Sequence, residues 1–223
     1  MRKLIKSIYR LSFKKIFPTT GEIIESILRK ELKDCKSVLD LGCGPSSPLK
    51  YLKKEPRLTL YSVGVDIFEP YILKNLEENK IHSEYINTDI FKIDFPANSF
   101  DCILLIDVIE HFKKTDFQNF LPKLEKIANK IIIITPNGFI EQKTYDNNQN
   151  QIHLSGWTQK EMEKLGFKCN GLSGLKFLRG QEWEPKIKPA FIGDIISNIT
   201  QKMTWNIPAL AYHLVCIKNN KQI

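Results

Sequence analysis

The chain has 223 residues, 42% of them apolar, and its 33 lysines and arginines against 25 aspartates and glutamates give a formal charge of +8. Six of the cations (Arg2, Lys3, Lys6, Arg10, Lys14, Lys15) lie in residues 1–17 with no acid among them, which leaves only +2 for the rest. That excludes a protein coated with positive charge for packaging nucleic acid, and the ordinary globular composition excludes a chain that is disordered throughout.

Leu4, Ile8 and Leu11 recur on one helical face and Lys3, Ser7, Arg10 and Lys14 on another, and Gly21 to Leu32 is a second amphipathic pattern. Residues 1–33 are therefore expected to form a basic amphipathic helical extension, and 34–223 a single domain. The aliphatics of the leader are interleaved with cations and no small-residue cleavage site follows, so a secretory signal is not expected. The longest apolar runs, Cys102 to Ile106 and Ile131 to Ile134, fall far short of the roughly 20 residues that span a bilayer. Five cysteines (Cys35, Cys43, Cys102, Cys169, Cys216) without a C-x-x-C pair suit a reducing compartment and neither a disulfide framework nor a zinc ribbon. The expected location is cytoplasmic, with residues 1–17 suited to peripheral contact with an anionic inner membrane surface or to a lid over the site.

From residue 38 onward β-rich apolar runs alternate with helical patterns, which implies a parallel sheet covered by helices on both faces. The predicted strands are Ser37 to Asp40, Thr59 to Asp66, Glu84 to Asn87, Phe100 to Ile106, Lys130 to Thr135 and Ala211 to Lys218. Helices are predicted over Ser46 to Lys54, Pro70 to Asn79, Asp116 to Asn129, Thr158 to Leu165 and Ile192 to Met203. The polar stretch Asn147 to Gln151 reads as a mobile loop, and Gly171, Gly174, Gly180, Pro185 and Pro189 interrupt the alternation after Phe167.

The strongest chemical signal is VLDLGCGPSSP, Val38 to Pro48, where a strand ends in an acid and turns through Gly42 and Gly44 into a helical pattern. Such glycines let the backbone bend sharply and let a ligand approach without a Cβ in the way. Asp66 closes the next strand about 20 residues on, where a carboxylate can accept both hydroxyls of a ribose. A pyrophosphate binder would place a third glycine where Ser47 stands, and Asp40 would repel it. An oxidoreductase is therefore disfavoured, whereas Asp40 suits a cationic aminoacyl group.

At these residues the sequence resembles the class I S-adenosylmethionine-dependent methyltransferases, whose first motif is D-x-G-x-G, over about Lys36 to Lys218. The subgroup that it resembles includes ubiquinone-biosynthesis enzymes. VGVDIFEP, Val63 to Pro70, is similar to the second motif; INTDIFKIDFPANSFDCILLIDVIEHF, Ile86 to Phe112, is similar to the next two; and IIIITPNG, Ile131 to Gly138, to the strand and turn that follow. The resemblance implies a Rossmann-like, doubly wound, seven-stranded α/β sheet, mostly parallel with an antiparallel last strand. It implies S-adenosyl-L-methionine as cofactor, held by Asp40, Gly42, Cys43, Gly44, Asp66, Ile67, Asp89, Ile90 and Asp107. Within that set Asp66 would meet the ribose, Ile67, Asp89 and Ile90 the adenine, and Asp107 the methionine side. It also implies that 172–208 covers the acceptor, with Phe177, Arg179, Trp183 and Trp205 shaping the pocket and Arg179 able to pair with an acceptor phosphate or carboxylate. Cys43 is expected to pack between the glycines, and Cys102 and Cys216 to lie in the core.

The cofactor would bring its own activated leaving group, so a base is needed only for an acceptor that must lose a proton. His111 and His153 are the candidate bases, with a structural role as the alternative for each and with Trp157 beside His153. In ubiquinone-pathway and small-RNA 2′-O-methyltransferases an E-x-x-E-H segment plus a distant histidine resembles a divalent-metal site. Asp107, Glu110, His111 and His153 have a partly similar makeup, but Asp107 replaces the first Glu, so no metal is expected. The acceptor is expected to be a small molecule, glycan or lipid-linked intermediate methylated on oxygen. Nucleic acid is not expected as partner. The alternatives are an RNA methyltransferase and a membrane-peripheral binding protein that has lost turnover. Oligomeric state is not readable from the sequence.

Overall fold

The computed structural model describes residues 18–54, 60–144, 146–180, 186–187 and 190–220. The basic segment 1–17, and with it the first predicted helix, lies outside the described residues, as do Trp183, Pro185 and Pro189.

Seven strands, β1 (Ser37–Leu41), β2 (Tyr61–Asp66), β3 (Glu84–Asn87), β4 (Phe100–Ile106), β5 (Ala128–Pro136), β6 (Lys168–Leu175) and β7 (Ala211–Asn219), form one sheet in the order β3-β2-β1-β4-β5-β7-β6. β1 to β5 are mutually parallel, and β7 runs antiparallel to both β5 and β6. The expected doubly wound α/β fold with an antiparallel last strand is thus the observed one. The strand order reverses between β1 and β4, and the crevice at such a switch point, outside the carboxyl ends of the strands, is where ligands bind.

The central strands are buried on both faces, which is why they read as unbroken apolar runs. Successive side chains alternate between faces. Leu39, Leu41, Ile103, Leu105, Ile131 and Ile133 pack with Phe117, Leu121 and Leu124 of α3 (Lys114–Ile127) on one side. Val38, Cys102, Leu104 and Ile132 pack on the other with Leu28 of α1 (Thr20–Glu31) and with Leu32, Leu49 and Leu52. Leu28 and Leu32 are wholly buried, each contributing roughly 1.5–3 kcal/mol by transfer from water. α1 starts at a capping box in which Thr19 and Glu22 satisfy each other's backbone N–H groups.

Three elements differ from expectation. The helix predicted over Ser46 to Lys54 is a 3-10 helix, Pro48–Lys54, entered through Ser47, whose hydroxyl accepts the Leu49 N–H at 3.2 Å. The helix predicted over Pro70 to Asn79 is α only over α2 (Glu69–Lys74). It then widens to a π turn over Asn75–Asn79, because the Lys80 N–H closes on the Asn75 carbonyl at 2.7 Å with Lys80 left-handed. The third is β6, a full strand where the glycines predict interruptions. Its glycines are there for a close neighbour: a Cβ on Gly171 would stand 2.1 Å from the Thr204 carbonyl oxygen, and one on Gly174 2.3 Å from that of Ser197. Both neighbours belong to α5 (Ala190–Asn206), while α4 (Gln159–Lys164) precedes β6.

Candidate active site

β1 delivers the chain into a turn with Gly42 at φ +70° and Gly44 at φ +55°. The Gly42 and Cys43 N–H groups both donate to the Val65 carbonyl, at 2.8 and 3.0 Å, which ties the turn to the end of β2. A Cβ on Gly42 would lie 2.6 Å from Val108 Cγ2, whereas one on Gly44 would meet nothing within 4 Å. Gly42 is thus demanded by packing as well as by its backbone, and Gly44 faces open space. Asn75 Nδ2 donates to the Gly44 carbonyl at 2.6 Å and fixes the turn from behind.

Asp66 is buried and accepts the Gly44 N–H on Oδ2 and the Phe68 N–H on Oδ1, both at 2.9 Å. Burial raises its carboxyl above the ordinary value, against the pull of those two donors. Asp40 is also buried, and its Oδ2 lies 3.3 Å from Nε2 of His82, whose Nδ1 is 3.2 Å from Ser62 Oγ. The ring of His82 fits only because residue 64 is glycine: a Cβ there would come within 2.5 Å of its Cδ2. Burial, with Asp40 and Asp66 nearby, pushes the Cys43 thiol far above its usual value, which makes it a packing group.

Asp89 accepts the Phe91 N–H at 3.0 Å at the start of a 3-10 turn, and Ile90 behind it is buried. Asp107 follows β4 in a left-handed conformation at φ +53°. Its side chain opens on the cleft, 3.9 Å from Nε2 of His213. Burial, with smaller contributions from Arg179 and His153, lowers the His213 ring to about 3, so that contact joins a carboxyl to a neutral imidazole. The nine residues expected to hold the cofactor, Asp40, Gly42, Cys43, Gly44, Asp66, Ile67, Asp89, Ile90 and Asp107, all line one cleft of about 620 Å³. His111 lines it too, with Phe91, Phe112, Ile152 and Leu154 on the far wall. The loop expected to be mobile supplies part of that wall through Asn148, Gln149, Asn150 and Gln151, and Asn148 is buried and caps the turn with its side chain.

The two candidate histidines meet edge to face, ring centroids 4.9 Å apart. His111 Nδ1 lies 3.2 Å from the Ile152 carbonyl and His153 Nδ1 lies 2.6 Å from that of Ile140. A carbonyl can only accept, so both protons are on Nδ1 and both Nε2 atoms keep a lone pair. Burial, and the charge His153 would carry, lower His111 to about 4; burial lowers His153 as well. Glu110 is buried beside them, with Oε2 accepting the Thr135 hydroxyl at 2.9 Å while Oε1 has no hydrogen-bond partner. Desolvation raises its carboxyl well above the ordinary range, and the Asp107 charge adds to this. One ligand atom each from Glu110, His111 and His153 fall within 4.8 Å of one another, a donor set that could hold a divalent metal. Asp107 is outside that group.

Other expected residues stand elsewhere. Trp157 is fully buried with Nε1 donating to the Ile109 carbonyl at 3.3 Å, so it packs rather than meets an acceptor. Arg179 is buried with Nε on the Ser173 carbonyl at 3.3 Å, Phe177 is exposed, and Trp205 packs near Ile27 and Leu172. None of the three lines the cleft, because β6 and α5 sit at the far edge of the sheet from β1. Asn75 and His82 are site residues that the sequence did not announce. Both stand behind the glycine turn and outside the motif runs, Asn75 between Lys74 and Leu76 and His82 between Ile81 and Ser83.

A glycine turn flanked by Asp40 and Asp66 at the switch point of this strand order is the arrangement that the resemblance to the class I S-adenosylmethionine-dependent methyltransferases led us to expect. Residues 39–130 match the family model described as a methyltransferase domain. An uncharacterised protein of Methanocaldococcus jannaschii is 27% identical over 155 residues, 69% of this chain and 65% of its own length, so the match leaves about a third of that relative uncovered. Among solved structures the chain is similar to a SAM-dependent methyltransferase from Archaeoglobus fulgidus, with TM-score 0.56 and 19% identity over 95% of this chain and 99% of that one. It is also similar to the Burkholderia thailandensis 1,6-didemethyltoxoflavin-N1-methyltransferase, with TM-score 0.55 and 14% identity over 99% and 87%.

Proposed function

We propose that this protein transfers a methyl group from S-adenosylmethionine to an oxygen of a small molecule, glycan or lipid-linked acceptor, in the manner of the ubiquinone-pathway subgroup its motifs resemble. The observation that carries the reading is the convergence of the nine motif residues on one cleft that continues past Asp107 to His111 and an apolar wall. The residues present fit the cofactor. Asp66, already fixed by two N–H donors, keeps acceptor capacity for a ribose diol, and Gly44 leaves the space beside it clear. Asp40 and Asp107 supply carboxyl groups toward an aminoacyl cation, and Asp89 with Ile67 and Ile90 a polar and an apolar edge for adenine. When bound, the cofactor supplies a methyl group on a sulfonium leaving group.

Among the chain's own residues, Phe91, Phe112, Ile152 and Leu154 exclude water from the acceptor end, and His111 Nε2 is an atom in the cleft able to take a hydroxyl proton. His153 orients His111 through the ring contact. Calorimetry with S-adenosylhomocysteine, followed by incubation with labelled donor and separate lipid, polar-metabolite and RNA fractions, tests the reading. Label in the RNA fraction alone, or no binding of the homocysteine product, refutes it.

The Glu110, His111 and His153 group favours a second reading, in which a divalent metal held there positions a ribose hydroxyl of RNA. Calorimetric titration with manganese, repeated on His153→Ala, separates the two: metal binding that depends on His153 supports the second. The domain reading, 34–223 as one unit with 1–33 as an extension, belongs to this proposal. So does membrane contact through residues 1–17.

A further inference from the structure

α5 is built the wrong way round for a helix covering a sheet. The face turned to β6 is small and polar, with Ser197, Gln201 and Thr204 buried. Gln201 Oε1 accepts the Gly174 N–H at 3.1 Å, its Nε2 donates to the Gly171 carbonyl at 2.9 Å, and the Thr200 hydroxyl accepts the Leu175 N–H at 3.3 Å. β6 is an edge strand, so α5 spends its polar side chains on free backbone groups of that edge. At 100° per residue, Ile199 and Met203 then fall on the opposite side, and they are 47% and 42% exposed. Ile207 (47%) and Leu210 (45%) continue the row beyond the helix. From Ile199 to Leu210 the only charged residue is Lys202. Two large apolar side chains facing out from α5 while its polar face is buried, with two more exposed in the turn that follows, mark an interaction surface.

The chain that enters this region decides what the surface meets. Pro18 shares a groove with Asn198, Gln201, Lys202 and Trp205, and Thr20 Oγ1 lies 3.4 Å from Ser173 Oγ on β6. Residues 1–17, with six cations and no acid, therefore join the described chain beside α5. We propose that the outward face of α5, Ile199 and Met203, together with Ile207 and Leu210 just beyond it, seats on an anionic lipid surface with residues 1–17 supplying the charge. Apolar burial and a polybasic segment are the two signals that together hold a peripheral protein at a membrane. A second copy of this chain would bring a second set of six like charges, so charge favours phosphate headgroups over self-association.

This inference does not depend on which acceptor is methylated. The full chain is sedimented with phosphatidylcholine vesicles and with phosphatidylcholine–phosphatidylserine vesicles, alongside I199N/M203N and R10E/K14E, with melting temperature and S-adenosylhomocysteine affinity as controls of fold. The expected result is partition to the phosphatidylserine vesicles that falls at least about tenfold in each variant, with both controls unchanged. Equal partition of wild type and I199N/M203N overturns the proposal, as does no partition at all. A wild-type dimer in the ultracentrifuge that I199N/M203N converts to monomer, without vesicle binding, overturns it in favour of a second copy.

Discussion

Nε2 of His82 stands 3.3 Å from Oδ2 of Asp40, both side chains buried, and Gly64 is the residue that makes room for the ring. Asp40 reaches the cleft and His82 does not, so His82 is expected to act on the site by positioning Asp40. Neither of those two atoms has a hydrogen-bond partner, so replacing His82 by Leu removes a polar neighbour of a buried carboxyl rather than a hydrogen bond, and stability is expected to fall. Gly64→Ala is expected to displace the ring and cost ~1–3 kcal/mol as overpacking, although residue 64 is outside the cleft. Urea unfolding measures both losses. Calorimetry with S-adenosylhomocysteine should show weaker binding for each, and unchanged affinity would mean that Asp40 holds its place without His82.

Asp66 is expected to control cofactor affinity. Asp66→Ala removes the acceptor of the Gly44 and Phe68 N–H groups together with the ribose partner, and binding should weaken at least tenfold, about 1.4 kcal/mol. The carboxylate accepts hydroxyls best when ionised, and burial raises its pKa, so affinity should fall as pH is lowered, starting above the ordinary Asp value of about 3.9. Titration of S-adenosylhomocysteine between pH 4 and 8 checks the direction; a flat profile in wild type would contradict it.

The motif residues were legible because they lie in short runs: Asp40 to Gly44, Asp66 and Ile67, Asp89 and Ile90, each ending a strand or opening a turn. The supports behind them were not. Asn75 reaches Gly44 from 31 positions away and His82 reaches Asp40 across the sheet, contacts that exist only once β2 has paired with β1. β6 was hidden for a different reason. Local propensity counts Gly171 and Gly174 against a strand, yet both are required by the backbone of α5, which lies far along the chain. The apolar outward face of α5 was likewise invisible, since a helical pattern shows an apolar side without saying which way it turns.

Glu110 gives a pH dependence of stability. Its carboxyl is raised by burial and then by Asp107, so the folded protein holds a proton that the unfolded chain releases above about 4.3. Stability is then largest below that value and is lost as pH rises toward the raised folded pKa. Glu110→Gln does not titrate and should gain on wild type by at most about 1.4 kcal/mol per pH unit over that window. Denaturant midpoints of the two proteins from pH 5 to 8, with EDTA present to keep metals off the site, make the comparison; parallel curves would refute it. If a divalent metal does bind at His111 and His153, adding manganese should raise the midpoint of wild type and not that of Glu110→Gln.

Gln201 closes the edge of the sheet with two hydrogen bonds to β6, one in each direction. Gln201→Ala leaves the Gly174 N–H and the Gly171 carbonyl buried without that partner, and the expected loss is ~2–3 kcal/mol. Gly171→Ala should cost more, because its methyl group would meet the Thr204 carbonyl at 2.1 Å and backbone cannot move aside as a side chain can. Both variants free an edge strand, so both should aggregate more readily on heating than Ile199→Asn, which touches only the outward face. Light scattering during a thermal ramp ranks the three, and S-adenosylhomocysteine affinity should stay at the wild-type value in all of them, since the cleft lies at the carboxyl ends of β1 and β4, with β5 and β7 between it and β6. Loss of affinity in Gln201→Ala would place α5 within the cofactor site instead.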